Sequence, residues 1–172
     1  MIALLAVSPA SARVSCQIPG GRVIASGRIA KLIGVPTPSG SQALYACIRR
    51  SGRKVALDDG FSDARVAGRW VAWQRTGGKP DHWRIAVHDL RTGRERLVDG
   101  HVAEHSLGVT VKGSIVWAQQ PETGTRTPLF ANEVRSGGRL LDGGDVDAGS
   151  VILAGRRVRW LSAGDWRTTS IR

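Results

Sequence analysis

The sequence predicts an all-β fold of antiparallel, four-stranded meander repeats, on three observations. The first is a repeat. Gly68-Arg-Trp-Val-Ala-Trp73, Gly113-Ser-Ile-Val-Trp117 and Gly155-Arg-Arg-Val-Arg-Trp160 align, with a fainter copy at Gly27-Arg-Ile-Ala-Lys-Leu32, and the glycines lie 41, 45 and 42 residues apart. Two further markers follow in fixed order. Cys47-Ile-Arg-Arg-Ser-Gly52, His88-Asp-Leu-Arg-Thr-Gly93 and Glu133-Val-Arg-Ser-Gly-Gly138 each end a strand before a glycine turn, and Leu57-Asp-Asp-Gly60, Leu97-Val-Asp-Gly100 and Leu141-Asp-Gly143 close each unit. The second observation is alternation of apolar and polar residues with period two, which places one face of each strand in a core. The third is the absence of a helical period beyond the first few residues. Sheets of this kind bury their apolar faces against one another, and four-stranded units of ~40–45 residues do so in propellers, so about four propeller-like blades are expected.

The second unit shows the pattern best. Asp63 to Ala67 alternates, Gly68 turns, and Trp70 to Trp73 continues as a strand. Thr76 to Pro80 then breaks regular structure, Trp83 to His88 alternates again, and Arg94 to Val98 ends the unit. Unit one spans about 21–60, unit two 61–100 and unit three 101–144, and the fourth starts at Ser150 and lacks a last strand. Val14 to Ile18 could supply that strand and close a ring from the N-terminus. An open array or a sandwich of meanders, completed by dimerisation, is the competing geometry.

The N-terminus reads as an export signal. Met1 to Val7 is apolar, and Ala10-Ser11-Ala12 has the form of a signal-peptidase site, so residues 1–12 are expected as a leader and 13–172 as a single β-repeat domain. The apolar run is far short of the ~20 residues that span a bilayer. It lacks a basic start, so either the first Met lies inside a longer leader or the signal is weak; an apolar N-terminal strand is the alternative. Export agrees with the two cysteines, Cys16 and Cys47, which most simply form one disulfide in an oxidising compartment. The expected location is secreted or in the cell envelope.

The chain carries 25 Lys and Arg against 14 Asp and Glu, a formal charge of +11. One reading is attraction to an anionic partner such as nucleic acid, a cell-wall polymer or a lipid surface, and the partners expected are a protein or an anionic envelope polymer. The basic residues are scattered singly and form no tail, which argues against nucleic acid. A solvated basic surface, in a composition rich in Arg, Ala, Gly and Val, is the simpler reading, and a dedicated anion-binding face is the alternative.

Candidate chemistry is sparse. His101, Glu104 and His105 follow the H-x-x-E-H order of an inverted zinc-peptidase motif. That site needs both histidines on one helical turn and a third ligand; here a turn precedes and a β-type run follows, and Glu122 and Glu133 stand isolated. His101 and His105 are therefore expected in a linker between units, with an adventitious or pH-sensitive metal contact as the lesser alternative. Asp142, Asp145 and Asp147 resemble a calcium loop but lack the closing Glu, so a polar turn is the simpler reading. No serine sits in a G-x-S-x-G elbow. Trp73, Trp117 and Trp160 hold matching repeat positions and are expected in the core between blades. No cofactor is expected.

The succession from Tyr45-Ala-Cys47 through Gly68-Arg-Trp-Val-Ala-Trp73 and Asp89-Leu-Arg-Thr-Gly93 to Gly155-Arg-Arg-Val-Arg-Trp160 resembles exported, propeller-like proteins of actinobacterial-type genomes. The repeats are similar to the blades of TolB-like and WD40-like propellers. The resemblance implies a fold and an exported location, and it brings no catalytic residue. The functional expectation is a non-catalytic binding or scaffold module; the alternative is a hydrolase or lyase with its site in a propeller's central mouth.

Overall fold

The computed structural model describes residues 15–75, 83–121, 126–134 and 136–172. The expected leader, Val14 and the Thr76 to Pro80 loop lie outside the described residues. The first sheet contains β1 (Arg22–Ser26), β2 (Ala30–Pro36), β3 (Gln42–Ile48) and β4 (Lys54–Asp58). The second contains β5 (Phe61–Ala67), β6 (Trp70–Arg75), β7 (Arg84–Asp89) and β8 (Glu95–Asp99). The third contains β9 (Gly108–Val109), β10 (Ile115–Ala118), β11 (Leu129–Glu133) and β12 (Gly137–Asp142), and the last contains β13 (Ile152–Ala154), β14 (Arg157–Ser162) and β15 (Asp165–Ser170). Every sheet is an antiparallel meander in sequence order, three of four strands and one of three. Among the described residues no helix is long and apolar enough to cross a membrane.

The first strands touch in series: β1 meets β5, β5 meets β9, and β9 meets β13. They therefore line a common axis while the later strands fan outward, which is the propeller arrangement the repeat predicts. Three apolar layers hold the blades together. Leu32, Leu44 and Ala46 of the first sheet face Val71, Trp73 and Ala86 of the second. Ala72, Ile85 and Val87 then face Ile115 and Trp117 of the third. Val116, Ala118 and Leu129 face Val158 and Trp160 of the fourth.

Strand pairing corrects the register of the faint first repeat. Gly27 donates to the carbonyl of Ala30, so Arg28 and Ile29 form the two-residue turn that Gly68 and Arg69 form in the next blade. Ile33 thus occupies the place of Trp73, where the glycine alignment puts Leu32. Gly68, Gly113 and Gly155 have φ of 58°, 89° and 63°, conformations that glycine adopts without steric cost, whereas Gly27 is not left-handed.

Two of the repeat markers interlock between blades. Trp73 Nε1 donates to Asp58 Oδ2 of the preceding blade at 2.8 Å, and Arg75 Nε joins the same oxygen at 2.8 Å. At the last joint, Trp160 Nε1 donates to Asp142 Oδ2 at 2.7 Å and Arg167 adds a bond of 2.8 Å. The unit-closing Asp is thus the acceptor that a buried indole N–H requires. The middle joint differs: Trp117 Nε1 donates to Gln119 Oε1 at 3.0 Å and its ring stacks on Phe130, while Asp99 points outward to Arg84.

These locks carry a pH dependence. Burial pushes the Asp142 carboxyl up, but the bonds from Trp160 and the Gly144 amide, with the Arg167 charge, outweigh it and hold the group below its ordinary value of 3.8. A carboxyl depressed by folding adds stability that is complete above the unfolded value and is lost as pH falls through the folded one. Asp142→Asn is therefore expected to be less stable than the wild type at pH 7, with the gap narrowing below 3.8. Urea midpoints between pH 7 and pH 2 would test this; a gap that stays constant would remove the ionised lock from the account.

The ends of the array correct the ring-closure expectation. Cys16 and Cys47 form the predicted disulfide, with Cα atoms 5.6 Å apart. Cys47 pairs with Lys31 on the face that also carries Ile33 and Tyr45, turned away from the second sheet. The bond therefore draws the N-terminal segment across the free face of the first sheet, with Gly21 so close to Ile33 that a Cβ there would lie 2.6 Å from its methyl. Residues 15–18 form no strand, and the fourth sheet keeps three. On the outer face of the fourth sheet Arg159 stands in the place of the buried Ala72 and Val116, beside the exposed Ile152 and Trp166. Arg159 lies over the half-exposed ring of Trp166. The described residues form four consecutive blades.

Candidate functional site

The connections between first and second strands converge at one end of the axis. They are Arg28 and Ile29 in the first blade, Gly68 and Arg69 in the second, Val111 to Gly113 in the third, and Gly155 and Arg156 in the fourth. Together with Trp70, Ser114, Val134, Ser136 and Arg172 they surround an open cavity of about 910 Å³. Each blade contributes one cation from the same turn: Arg28, Arg69, Lys112 and Arg156. Arg172 adds a fifth, brought in because the Ile171 amide donates to the carbonyl of Arg156 at 2.8 Å and Ser114 Oγ donates to the carbonyl of Arg172. Among the described residues, no Asp, Glu or His side chain lines this mouth.

The cations differ in how far they are already engaged. Arg69 Nε lies 3.2 Å from the buried Asp89 carboxylate, and its guanidinium sits 5.3 Å from the Trp70 ring centre. Arg156 Nε donates to the carbonyl of Ile171 at 3.0 Å. Among the described residues, Arg28, Lys112, Arg156 and Arg172 form no ion pair with a carboxylate. Nearby, Glu133 is taken up by Arg139 and by the hydroxyl of Ser136. Like charges held together without counter-charges raise the local positive potential, and a concave wall focuses it.

The floor of the mouth is rigid and apolar. Gly113 lies flat on the indole of Trp70, where a Cβ would come within 2.7 Å of the ring. That contact requires glycine at this turn and ties the second blade to the third. Behind the turn, the half-buried Arg96 donates to the Gly113 carbonyl at 2.6 Å and to Asn132, and burial lowers its pKa.

The residues singled out by their sequence pattern fall elsewhere. His101 stacks on Trp83 with ring centres 4.3 Å apart and planes at 8°, and burial depresses its pKa, which favours the neutral ring. His105 occupies a left-handed turn with φ of 64°, and its carbonyl accepts from Arg65. No helix carries the pair. The connection is pinned to the blades on either side: Val102 N donates to Gln74 Oε1 at 2.7 Å, and His101 N donates to Gln119 Oε1 at 3.1 Å. Glu122 lies outside the described residues. Among the described residues no three of His, Cys, Asp and Glu gather as a metal ion would need.

The three aspartates of the expected polar turn are separated by role. Asp142 is buried and accepts from Trp160, Arg167 and the Gly144 amide. Asp147 caps a short 3-10 turn by accepting from the Gly149 amide at 3.0 Å, and the Asp145 carbonyl accepts from the Ala163 amide. Their carboxylates therefore do not converge on one point. Trp73, Trp117 and Trp160 are buried between blades.

The cationic mouth was not picked out from the sequence. Its signal is present, however: within the repeat, each turn glycine has an Arg or Lys beside it, in Gly27-Arg28, Gly68-Arg69, Lys112-Gly113 and Gly155-Arg156. Read along the chain these are single, scattered charges. Only the stacking of blades brings them together.

No family model matches the chain, and no curated protein matches it. Among solved structures, it is similar to TolB from Acinetobacter baumannii, with a TM-score of 0.50 and 14% identity over 87% of this chain and 43% of that one. The architecture is propeller-like. At this identity the likeness concerns the fold alone, and the chain spans less than half of the TolB structure.

Proposed function

We propose that the chain is an exported, non-catalytic binding module of the cell envelope, and that its central mouth holds an anionic ligand. The observation that carries this reading is the cation supplied by every blade to one cavity in which, among the described residues, no acidic side chain lies. The disulfide supports an oxidising compartment. The alternative, a hydrolase or lyase in the same mouth, finds two serines there. Ser114 donates to the Arg172 carbonyl and Ser136 to Glu133, and the lining offers no histidine to activate either.

A paired charge reversal tests the reading. Arg28→Glu with Lys112→Glu changes the mouth. Arg22→Glu with Arg126→Glu makes the same change in net charge at exposed sites toward the opposite end of the blades. Binding of inorganic polyphosphate to the wild type is expected to weaken with salt, and the mouth variant to bind about ten-fold more weakly than the control. Equal loss in both variants would mean that the overall charge, and not the mouth, attracts the anion.

A further inference from the structure

The mouth combines its cations with exposed aliphatic side chains. Ile29, Val111 and Val134 are 44%, 64% and 50% exposed, and all three line this cavity. They stand on the connections that carry Arg28 and Lys112 and on the β11–β12 connection, while Trp70 lies half-buried beneath. A soluble protein gains nothing by gathering aliphatic residues on the tips of turns, where water surrounds them; such clusters mark a surface that meets an apolar phase or a partner.

Part of the backbone of these turns is already satisfied. Gly27 N donates to the Ala30 carbonyl, Gly113 N to the Thr110 carbonyl and Thr110 N to the Ser114 carbonyl. The carbonyls of Ile29 and Arg69 accept from Arg49 and Leu90. The tips can therefore enter a region poor in water without leaving those groups unpaired.

We propose that this mouth is a lipid-docking face, its cations meeting the phosphates of an anionic membrane while Ile29, Val111 and Val134 enter the headgroup layer. The proposal rests on the anion-binding reading of the mouth and names the ligand class. Long Arg and Lys side chains suit it, because their stems lie along apolar surface while the charge stays at phosphate level. Tryptophan is favoured at the same depth. Anchoring of this kind adds a small apolar insertion to several modest ionic contacts.

The test uses the full chain and four probes: vesicles of phosphatidylglycerol mixed with phosphatidylcholine, vesicles of phosphatidylcholine alone, inorganic polyphosphate, and polyglutamate. The wild type is expected to sediment with the anionic vesicles and not with the neutral ones. Ile29→Ser, Val111→Ser and Val134→Ser together are expected to reduce vesicle binding about ten-fold, and polyphosphate binding by less than about three-fold. Vesicle binding unaffected by the triple substitution would overturn the proposal, as it would then run through charge or another segment. Binding to polyphosphate or polyglutamate without binding to anionic vesicles would also overturn it, while leaving the anionic mouth intact. Failure to bind any of the anionic probes would remove both readings.

Discussion

Trp73→Ala is expected to lower stability by about 3–5 kcal/mol, a large part of what a domain of this size possesses. Trp73 is fully buried at the joint between the first two blades. Truncation removes its ring from a layer formed by Leu32, Leu44, Ala46 and Ala86, and neighbours held in hydrogen-bonded strands can collapse only partly into the space. It also removes the N–H that reaches Asp58 at 2.8 Å. Trp73→Phe separates the two effects. It keeps most of the packed ring and loses the donor, so a cost of about 1–2 kcal/mol is expected. Denaturant midpoints followed by far-UV circular dichroism would decide. Equal costs for Ala and Phe would show that the bond to Asp58, and not the ring, holds the joint.

Reduction of the Cys16–Cys47 disulfide is expected to have a similar effect. The bond closes a loop of 31 residues, for which chain entropy alone amounts to about 3–4 kcal/mol. The structure adds a second consequence. Without the bond, the N-terminal segment loses its tether to the free face of the first sheet, and Ile33 and Cys47, both buried, become open to water. Cys16→Ala with Cys47→Ala should therefore lower the urea midpoint and raise binding of an apolar dye. Loss of stability without a rise in dye binding would mean that the segment covers that face unaided.

Much of the fold was legible because the repeat is dictated by local chemistry. Turn glycines, alternating strands and the tryptophan positions each have a residue-level cause, and all three recur in order. The register of the first blade was not legible. Gly27 looks like the other turn glycines, but its turn starts one residue later, at Arg28, and only strand pairing distinguishes the two settings. The role of Asp58 and Asp142 was half visible: the unit-closing Asp recurs in the sequence, while its partner is an indole 15 or 18 residues further along.

The candidate site was less visible for the same kind of reason. HVAEH at 101–105 has the form of a metal motif, yet a motif's chemistry depends on the helix that presents it, and these residues run between sheets. The cations of the mouth have no motif at all. Their relation is rotational, one per blade about an axis, and a linear reading separates them by about 40 residues.

The residues alone imply sheets, their approximate number and the disulfide, since hydrophobic periodicity, turn chemistry and cysteine pairing act over short range or in simple pairs. Whether the blades close into a ring, which faces are left free, and which charges come together are decided by the assembled sheets. Cys47 faces away from the second blade, so the N-terminal segment became a cover, and Arg159 took the place of an apolar contact on the outer face of the fourth. The mouth exists because stacking is fixed by apolar layers far from it; the cations are carried to one place by a core in which they take no part.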